Sequence, residues 1–205
     1  MIFRTNYRKA LTSALFVASL AGAPALAQET TTDAAETPPL GTPFVVATHG
    51  DWEVMCNQIN EAGILNCEMY QLLFDPNEQP IAEITIAALP FGSEFSGGAT
   101  ITTPLETFLP TGMGWSIGEA EDMRVEGFRV CTVVGCVVRM GLTPEEIDEM
   151  RAGANATILI APFVAIDQPV PINVSLSGFT AAYEELQVRL SEAAAAAREA
   201  AAASE

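Results

Sequence analysis

The chain has 205 residues, 49% of them hydrophobic, and carries 26 acidic against 9 basic side chains, for a formal net charge of −17. A chain of this length suits one domain, or one domain with tails, and is long enough to bury a hydrophobic core. A surface this acidic repels phosphate backbones and anionic lipid headgroups, so we expect no nucleic acid partner.

The first 27 residues have the pattern of a secretory signal peptide. Three basic residues open the chain: Arg4, Arg8 and Lys9. An apolar stretch over residues 10–22 follows, and residues 25–27 (Ala-Leu-Ala) fit the small-x-small cleavage rule, so that the mature chain begins at Gln28. The alternative is a membrane anchor, but the stretch is shorter than the roughly 20 residues that cross a bilayer. We therefore expect cleavage after Ala27, a periplasmic or secreted location, and no membrane span in the mature chain.

The mature chain divides into three predicted parts. Residues 28–43 are rich in Glu, Thr, Ala and Pro, a composition that cannot bury enough apolar surface to fold, and they form a flexible leader. A folded domain is predicted over residues 44–190, and an alanine-rich tail over 191–205. Loss of the signal peptide leaves 6 basic against 26 acidic residues, a net charge of −20.

Short runs of β-branched and aromatic residues, separated by Gly, Pro and Asn, predict a series of strands in the folded domain. Many short strands with frequent turns are typical of an antiparallel β-sandwich or a barrel-like domain. The fold class is therefore mainly β. The candidate strands are Trp52–Cys56, Leu65–Phe74, Ile81–Leu89, Ala99–Thr103, Gly114–Ile117, Phe128–Thr132, Cys136–Met140, Thr157–Pro162 and Ile172–Leu176.

The folded domain contains four cysteines: Cys56, Cys67, Cys131 and Cys136. In an exported protein, disulfides are the default over thiols or metal binding. Three pairings are possible, and we favour the two local ones, Cys56–Cys67 and Cys131–Cys136. Zinc is the alternative, but it needs closely spaced ligand pairs such as C-x₂-C, and these spacings are wider. The redox motif C-x-x-C is absent, so an oxidoreductase role has no support.

One short helix interrupts the strands after the fourth cysteine. Thr143 is a good N-cap, and Glu146 completes a capping box. Ile147 and Met150 can face inward at helical spacing, and Gly153 is placed to end the helix.

A C-terminal helix is predicted from about Thr180. Tyr183, Leu186 and Leu190 form one apolar stripe at helical spacing. The tail over 191–205 continues with alanine, the best helix former, which offers little side chain for packing. We expect the tail to be helical and either loosely attached or projecting.

Candidates for catalysis or metal binding are few. His49 is the single histidine, no G-x-S-x-G sequence occurs, and we expect His49 to be a surface or edge residue. Glu119, Glu121 and Asp122 form an acidic cluster, but their spacing does not match a calcium-binding loop. Paired carboxylates could still hydrolyse a sugar or bind a small ligand in a cleft, and this alternative stays open. We assign no catalytic, cofactor or metal residues.

Several segments, in order along the chain, resemble the invasion-associated locus B family of exported bacterial proteins. Together they extend over about residues 50–190, nearly the whole predicted domain. The segments are Gly50–Val54 leading into Cys56, Leu109–Met113, Gly135–Cys136, Leu142–Gly153 and Ser175–Phe179.

The resemblance implies an envelope or secreted protein of a type linked, in some pathogens, to invasion of host cells. It implies no catalytic residues, because the positions that carry the resemblance are cysteines, glycines and aromatics. Large apolar burial is expected at Trp52 and Phe179, and unusual backbone angles at Gly135 and Gly178. Family members tend to be basic and lysine-rich, whereas the mature chain has no lysine. A role that depends on a basic surface is therefore not carried over.

The sequence predicts an exported, non-enzymatic envelope protein that acts as an interaction module, with an unknown protein or surface partner and no cofactor. The alternative is a small-ligand binder or hydrolase that acts through acidic residues in a cleft. A purely structural or stress-protective periplasmic protein is a third possibility, and it differs from the first only in its partner.

Overall fold

A computed structural model describes residues 39–203 apart from 62, 76 and 119–122. The predicted signal peptide, most of the predicted leader and the acidic cluster at Glu119, Glu121 and Asp122 lie outside the described residues. Within the described part, eleven strands and two α-helices follow one another. The strands are β1 Phe44–His49, β2 Trp52–Gln58, β3 Leu65–Phe74, β4 Pro80–Ala88, β5 Gly97–Thr103, β6 Met113–Ile117, β7 Arg124–Glu126, β8 Phe128–Thr132, β9 Gly135–Leu142, β10 Asn155–Ile160 and β11 Val170–Ser175.

The strands form two antiparallel sheets. The larger sheet has seven strands in the order β1-β2-β3-β4-β5-β9-β8, and the smaller has four in the order β11-β10-β6-β7. Neighbours in the larger sheet follow one another along the chain as far as β5. The sheet is then completed by β9 and β8, which return after the chain has contributed β6 and β7 to the smaller sheet. The predicted fold class, a mainly β antiparallel domain with one short helix and a C-terminal helix, is confirmed.

One hydrophobic core lies between the elements. In β3, β4, β5 and β10, alternate residues are buried, as the period of two in a strand requires. In β3 the buried positions are Met69, Gln71 and Leu73, and Gln71 is satisfied by hydrogen bonds to backbone atoms of Asp51 and Ser175.

The helix α1 spans Pro144–Ala152 and shows the predicted capping box. The backbone N–H of Glu146 donates to Thr143 Oγ1 at 3.2 Å, and the backbone N–H of Thr143 donates to Glu146 Oε2 at 2.9 Å. Ile147 and Met150 are its buried residues, as expected from their spacing. Local chemistry alone therefore accounts for where this helix begins and which face it buries.

The helix α2 spans Phe179–Ala202 and packs against the larger sheet. Phe179 meets Trp52 edge-on at 5.8 Å between ring centroids and stacks on Tyr183 at 5.7 Å, so the expected large burial of Trp52 and Phe179 is observed. The alanine-rich segment as far as Ala202 is helical and continuous with the packed part. In the described residues, we find no helix that combines the length and apolarity needed to cross a bilayer.

Two strands, β1 and β7, were not predicted. β1 is an edge strand of mixed burial that pairs with β2 through a bulge between Val45 and Ala47. β7 has three residues and is held by Arg124, which forms ion pairs with Glu126 and Glu146. Neither strand carries the long alternating pattern that sequence reasoning needs.

Candidate interaction surface

The four cysteines lie in two pairs at disulfide distance. The sulfur atoms of Cys56 and Cys67 are 2.05 Å apart, and those of Cys131 and Cys136 are 2.04 Å apart. Each pair joins residues that are already opposite one another, in β2 and β3 or in β8 and β9. The second pair therefore closes the base of the tight β8–β9 hairpin.

The tip of that hairpin is apolar and exposed. Val133 and Val134 keep 95% and 77% of their surface accessible, although a turn of this kind is usually polar. Other exposed apolar side chains come from the ends of β3, β5 and β10. We call this set the apolar end, and its members are Leu72, Phe74, Leu105, Leu109, Val133, Val134, Phe163, Val164 and Ile166.

Backbone hydrogen bonds join two loops of the apolar end. The N–H of Phe108 donates to the carbonyl of Ala161, and the N–H of Phe163 donates to the carbonyl of Glu106, both at 2.7 Å. The rings of Phe108 and Phe163 lie 6.3 Å apart. The loops over 104–111 and 161–168 therefore form one surface.

A second set of contacts joins the loop after β5 to the hairpin. Thr103 Oγ1 donates to the carbonyl of Cys136 at 3.2 Å, beside the hairpin base. A groove of about 510 Å³ is lined by Leu72, Ile81, Pro104 and Val134, together with the carboxylate of Glu83 and other neighbours. The apolar end is thus continuous from β3 to the hairpin tip.

The charged side chains within the segments of the apolar end are all negative. Glu106 follows Leu105, and Asp167 follows Ile166, each with an exposed side chain. The segments 72–83, 103–111, 132–136 and 161–168 contain no Lys, Arg or His. The apolar end therefore combines hydrophobic contact area with an acidic border.

The outer face of the larger sheet continues this acidic character. Burial raises the pKa of the Glu68 carboxyl; a hydrogen bond with Thr85 opposes that rise, and the charge of Glu83 adds to it. Burial, followed by the charge of Glu83, raises the pKa of the Tyr70 hydroxyl, and Glu53 contributes in the same direction. Burial is the main cause of both shifts, and the neighbouring carboxylates add to them.

A cleft of about 540 Å³ beside β2 and β3 contains the carboxylates relevant to the alternative function. Asp51 and Glu53 line it together with Phe74. Ser175 Oγ donates to Asp51 Oδ2 at 2.5 Å, so the Asp51 carboxylate is hydrogen-bonded to the end of β11. Across the residues that the structure describes, no three His, Cys, Asp or Glu side chains lie close enough to hold a metal ion.

His49 is a half-buried residue at the end of the edge strand β1. Its Nε2 lies 2.6 Å from Glu185 Oε2 on α2, and Arg189 donates to the other oxygen of Glu185. The hydrogen bond with His49 is the main cause that lowers the pKa of the Glu185 carboxyl. The edge position agrees with the prediction, and the contact adds a role in holding α2 to the sheet.

Polar side chains also cluster in the turn after β3. Asp75 Oδ1 accepts from the backbone N–H of Asn77 at 2.8 Å and from that of Gln79 at 2.9 Å. The hydrogen bond from Gln79 is the largest cause that lowers the pKa of the Asp75 carboxyl. This carboxylate therefore stabilises the turn.

These features define a class: an acidic, two-sheet antiparallel β domain with two hairpin cysteine pairs and a helix packed after the last strand. A family model described as Invasion associated locus B (IalB) protein matches residues 52–187. The chain belongs to the invasion associated locus B family, which confirms the resemblance found in the sequence.

The crystal structure of invasion associated protein B from Bartonella henselae has a similar fold. The TM-score is 0.58 at 19% sequence identity, and the match covers 69% of this chain and 95% of that chain. A likeness at this identity supports the fold alone. No curated protein matches the chain significantly.

Proposed function

We propose that this chain is an exported, non-enzymatic protein of the bacterial envelope that binds a partner protein through the apolar end. The observation that carries the proposal is the exposure of nine large apolar side chains on adjoining loops at one end of the domain. Contiguous apolar surface of this kind is typical of protein contact sites, because a soluble protein otherwise keeps such patches small.

Export rests on the first 27 residues and on the cysteine pairs. Within this proposal, residues 1–27 are removed as a signal peptide, 28–43 form a leader, 44–190 form the domain and 191–205 form the helical tail. Two hairpin disulfides suit an oxidising compartment such as the periplasm or the exterior. The protein is therefore periplasmic or secreted.

The acidic border indicates the chemistry of the partner. Glu106 and Asp167 alternate with apolar neighbours, so insertion into hydrocarbon would bury carboxylates at a cost of several kcal/mol. A protein surface with an apolar centre and basic rim would instead pair with these groups. The partner class is thus a basic, partly apolar protein surface rather than a bilayer.

The alternative function, a ligand binder or hydrolase with carboxylates in a cleft, has less support. Asp51, one of the two carboxylates that line the cleft beside β2 and β3, is hydrogen-bonded to Ser175. Glu68 and Glu83 lie on the outer face of the larger sheet rather than in that cleft. A pair of carboxylates that works on a bound sugar must flank one scissile bond.

Photocrosslinking in the producing cell tests the proposal. A photoreactive phenylalanine analogue would replace Val133 or Val164 in the apolar end, and Val188 on α2 would serve as the matched exposed control. We expect the first two positions to crosslink to the same protein and the control position to give no such product. In purified form, Val134→Asp should weaken binding of that protein at least about tenfold, and added salt should weaken it further.

Two outcomes would contradict the proposal. Equal crosslinking from all three positions would mean that the apolar end has no special partner. Crosslinks to lipid alone, with a membrane-bound fraction that Val134→Asp releases, would identify the apolar end as a membrane contact instead.

A further inference from the structure

A cleft of about 670 Å³ lies between α2 and the loop that joins β4 to β5. Its walls are largely apolar, with side chains from both elements. A volume of this order is typical of sites for small organic ligands. The apolar and aromatic lining residues are Leu89, Pro90, Phe91, Phe95, Tyr183 and Leu190.

The helical wall of the cleft is a single stripe of α2. Tyr183, Gln187, Leu190 and Arg198 follow at steps of four, three and eight residues, which places them on one face. Within the described part of the chain, no carboxylate forms an ion pair with Arg198. In a chain with few basic residues, a cation at the end of an apolar cleft, with no ion pair to another described residue, indicates a site for a negative group.

The opposite wall is fixed at both ends and exposed at its tip. Tyr183 Oη donates to the carbonyl of Ser96 at 2.6 Å, and the N–H of Leu89 donates to the same carbonyl at 2.9 Å. The ring of Phe95 lies over Gly141, where a Cβ would come within 2.4 Å of it. Phe91 on the turn between these anchors is fully exposed. The cleft is therefore formed in advance, with one large aromatic side chain at its rim.

We propose that this cleft binds an anionic amphiphile, with the apolar body between Phe91 and Leu190 and the negative headgroup on Arg198. The apolar walls exclude a highly charged ligand, because burial of unpaired charge is costly. Arg198 selects a carboxylate or phosphate over a cationic or neutral headgroup, since its guanidinium can donate two parallel hydrogen bonds. This site is separate from the apolar end and does not depend on the proposed function.

Calorimetric titration of the mature chain with laurate, and with dodecanol as the uncharged match, tests the assignment. We expect saturable binding of laurate at one site. Phe91→Ala should weaken it about tenfold through loss of apolar contact. Arg198→Gln should weaken laurate about two- to fivefold, as for an exposed ion pair, and should leave dodecanol unchanged. Arg139→Gln removes an equal charge on the outer face of β9 and should change neither ligand.

Phe91 and Arg198 are exposed, so we expect Phe91→Ala and Arg198→Gln to melt at the temperature of the parent protein, which will show that the fold is intact. Laurate affinity unchanged in both Phe91→Ala and Arg198→Gln would overturn the assignment, as would absence of saturable binding to the parent. An equal loss of laurate affinity in Arg139→Gln and Arg198→Gln would show that only net charge matters, and would also overturn the assignment. Val134→Asp should leave laurate binding unchanged, which keeps this test independent of the partner protein.

Discussion

Gly178 lies against the turn between β1 and β2, and its backbone geometry leaves no room for a side chain. Its φ is 84°, and a Cβ there would come within 2.0 Å of the carbonyl oxygen of His49. A substitution must therefore accept a left-handed conformation and also move backbone. We expect Gly178→Ala to lower the free energy of unfolding by at least about 2 kcal/mol, measured by urea denaturation.

Gly63 offers a matched control for that variant. Its φ is 78°, but nothing lies within 4 Å of the place where a Cβ would be. Gly63→Ala should therefore cost only the left-handed conformation, about 1 kcal/mol. Equal losses at the two positions would show that the close approach to His49 contributes nothing to stability.

At the scale of the elements, the two cysteine pairs differ in the length of chain that they close. Cys56 and Cys67 are 11 residues apart, whereas Cys131 and Cys136 are 5 apart. Loop-closure entropy predicts a loss of about 3 kcal/mol for the Cys56→Ala and Cys67→Ala double variant. The corresponding loss for the second pair is about 2 kcal/mol. Urea unfolding under oxidising conditions measures both, and the reverse order would contradict the loop-entropy explanation.

Elements with local signals could be predicted from the sequence, and those without could not. The helix α1 was predictable because Thr143 and Glu146 cap it within one turn. The strands β3 and β8 were predicted with the bounds that the structure shows. β1 and β7 were missed, since β1 has mixed burial and a bulge and β7 has only three residues, so neither shows a clear alternating pattern.

The apolar end was missed for a topological reason. Its side chains come from four separate segments, and they meet only because β3, β5, β8 and β10 end at the same side of the domain. The adjacent pairs Val133–Val134 and Phe163–Val164 were the local signal, as apolar residues in connections where polar ones are usual. The cysteine pairs could be predicted from the sequence, because each pair joins two strands that are neighbours along the chain.

At the scale of the whole molecule, the two proposed sites lie at opposite ends of the same strands. β4 runs from Pro80 at the apolar end to Ala88 beside the amphiphile cleft. β9 runs the same way, from the hairpin to Leu142, whose carbonyl accepts from the N–H of Ser96. Strands of this length separate the sites by roughly 20 Å. The two sites can therefore be occupied and tested independently.

The net charge sets the response of the whole domain to salt. After residue 27 the chain carries 26 acidic and 6 basic side chains, so repulsion opposes the compact state. The electrostatic screening length shortens from about 30 Å in 0.01 M salt to about 8 Å in 0.15 M salt. Because added salt weakens the repulsion, we expect the melting temperature to rise by about 2–4 °C between these conditions. The Glu149→Gln and Glu184→Gln double variant, at exposed helix positions, should melt higher than the parent at low salt and gain less from added salt. A melting temperature that falls with salt would mean that specific ion pairs, such as Arg189–Glu185, outweigh the general repulsion.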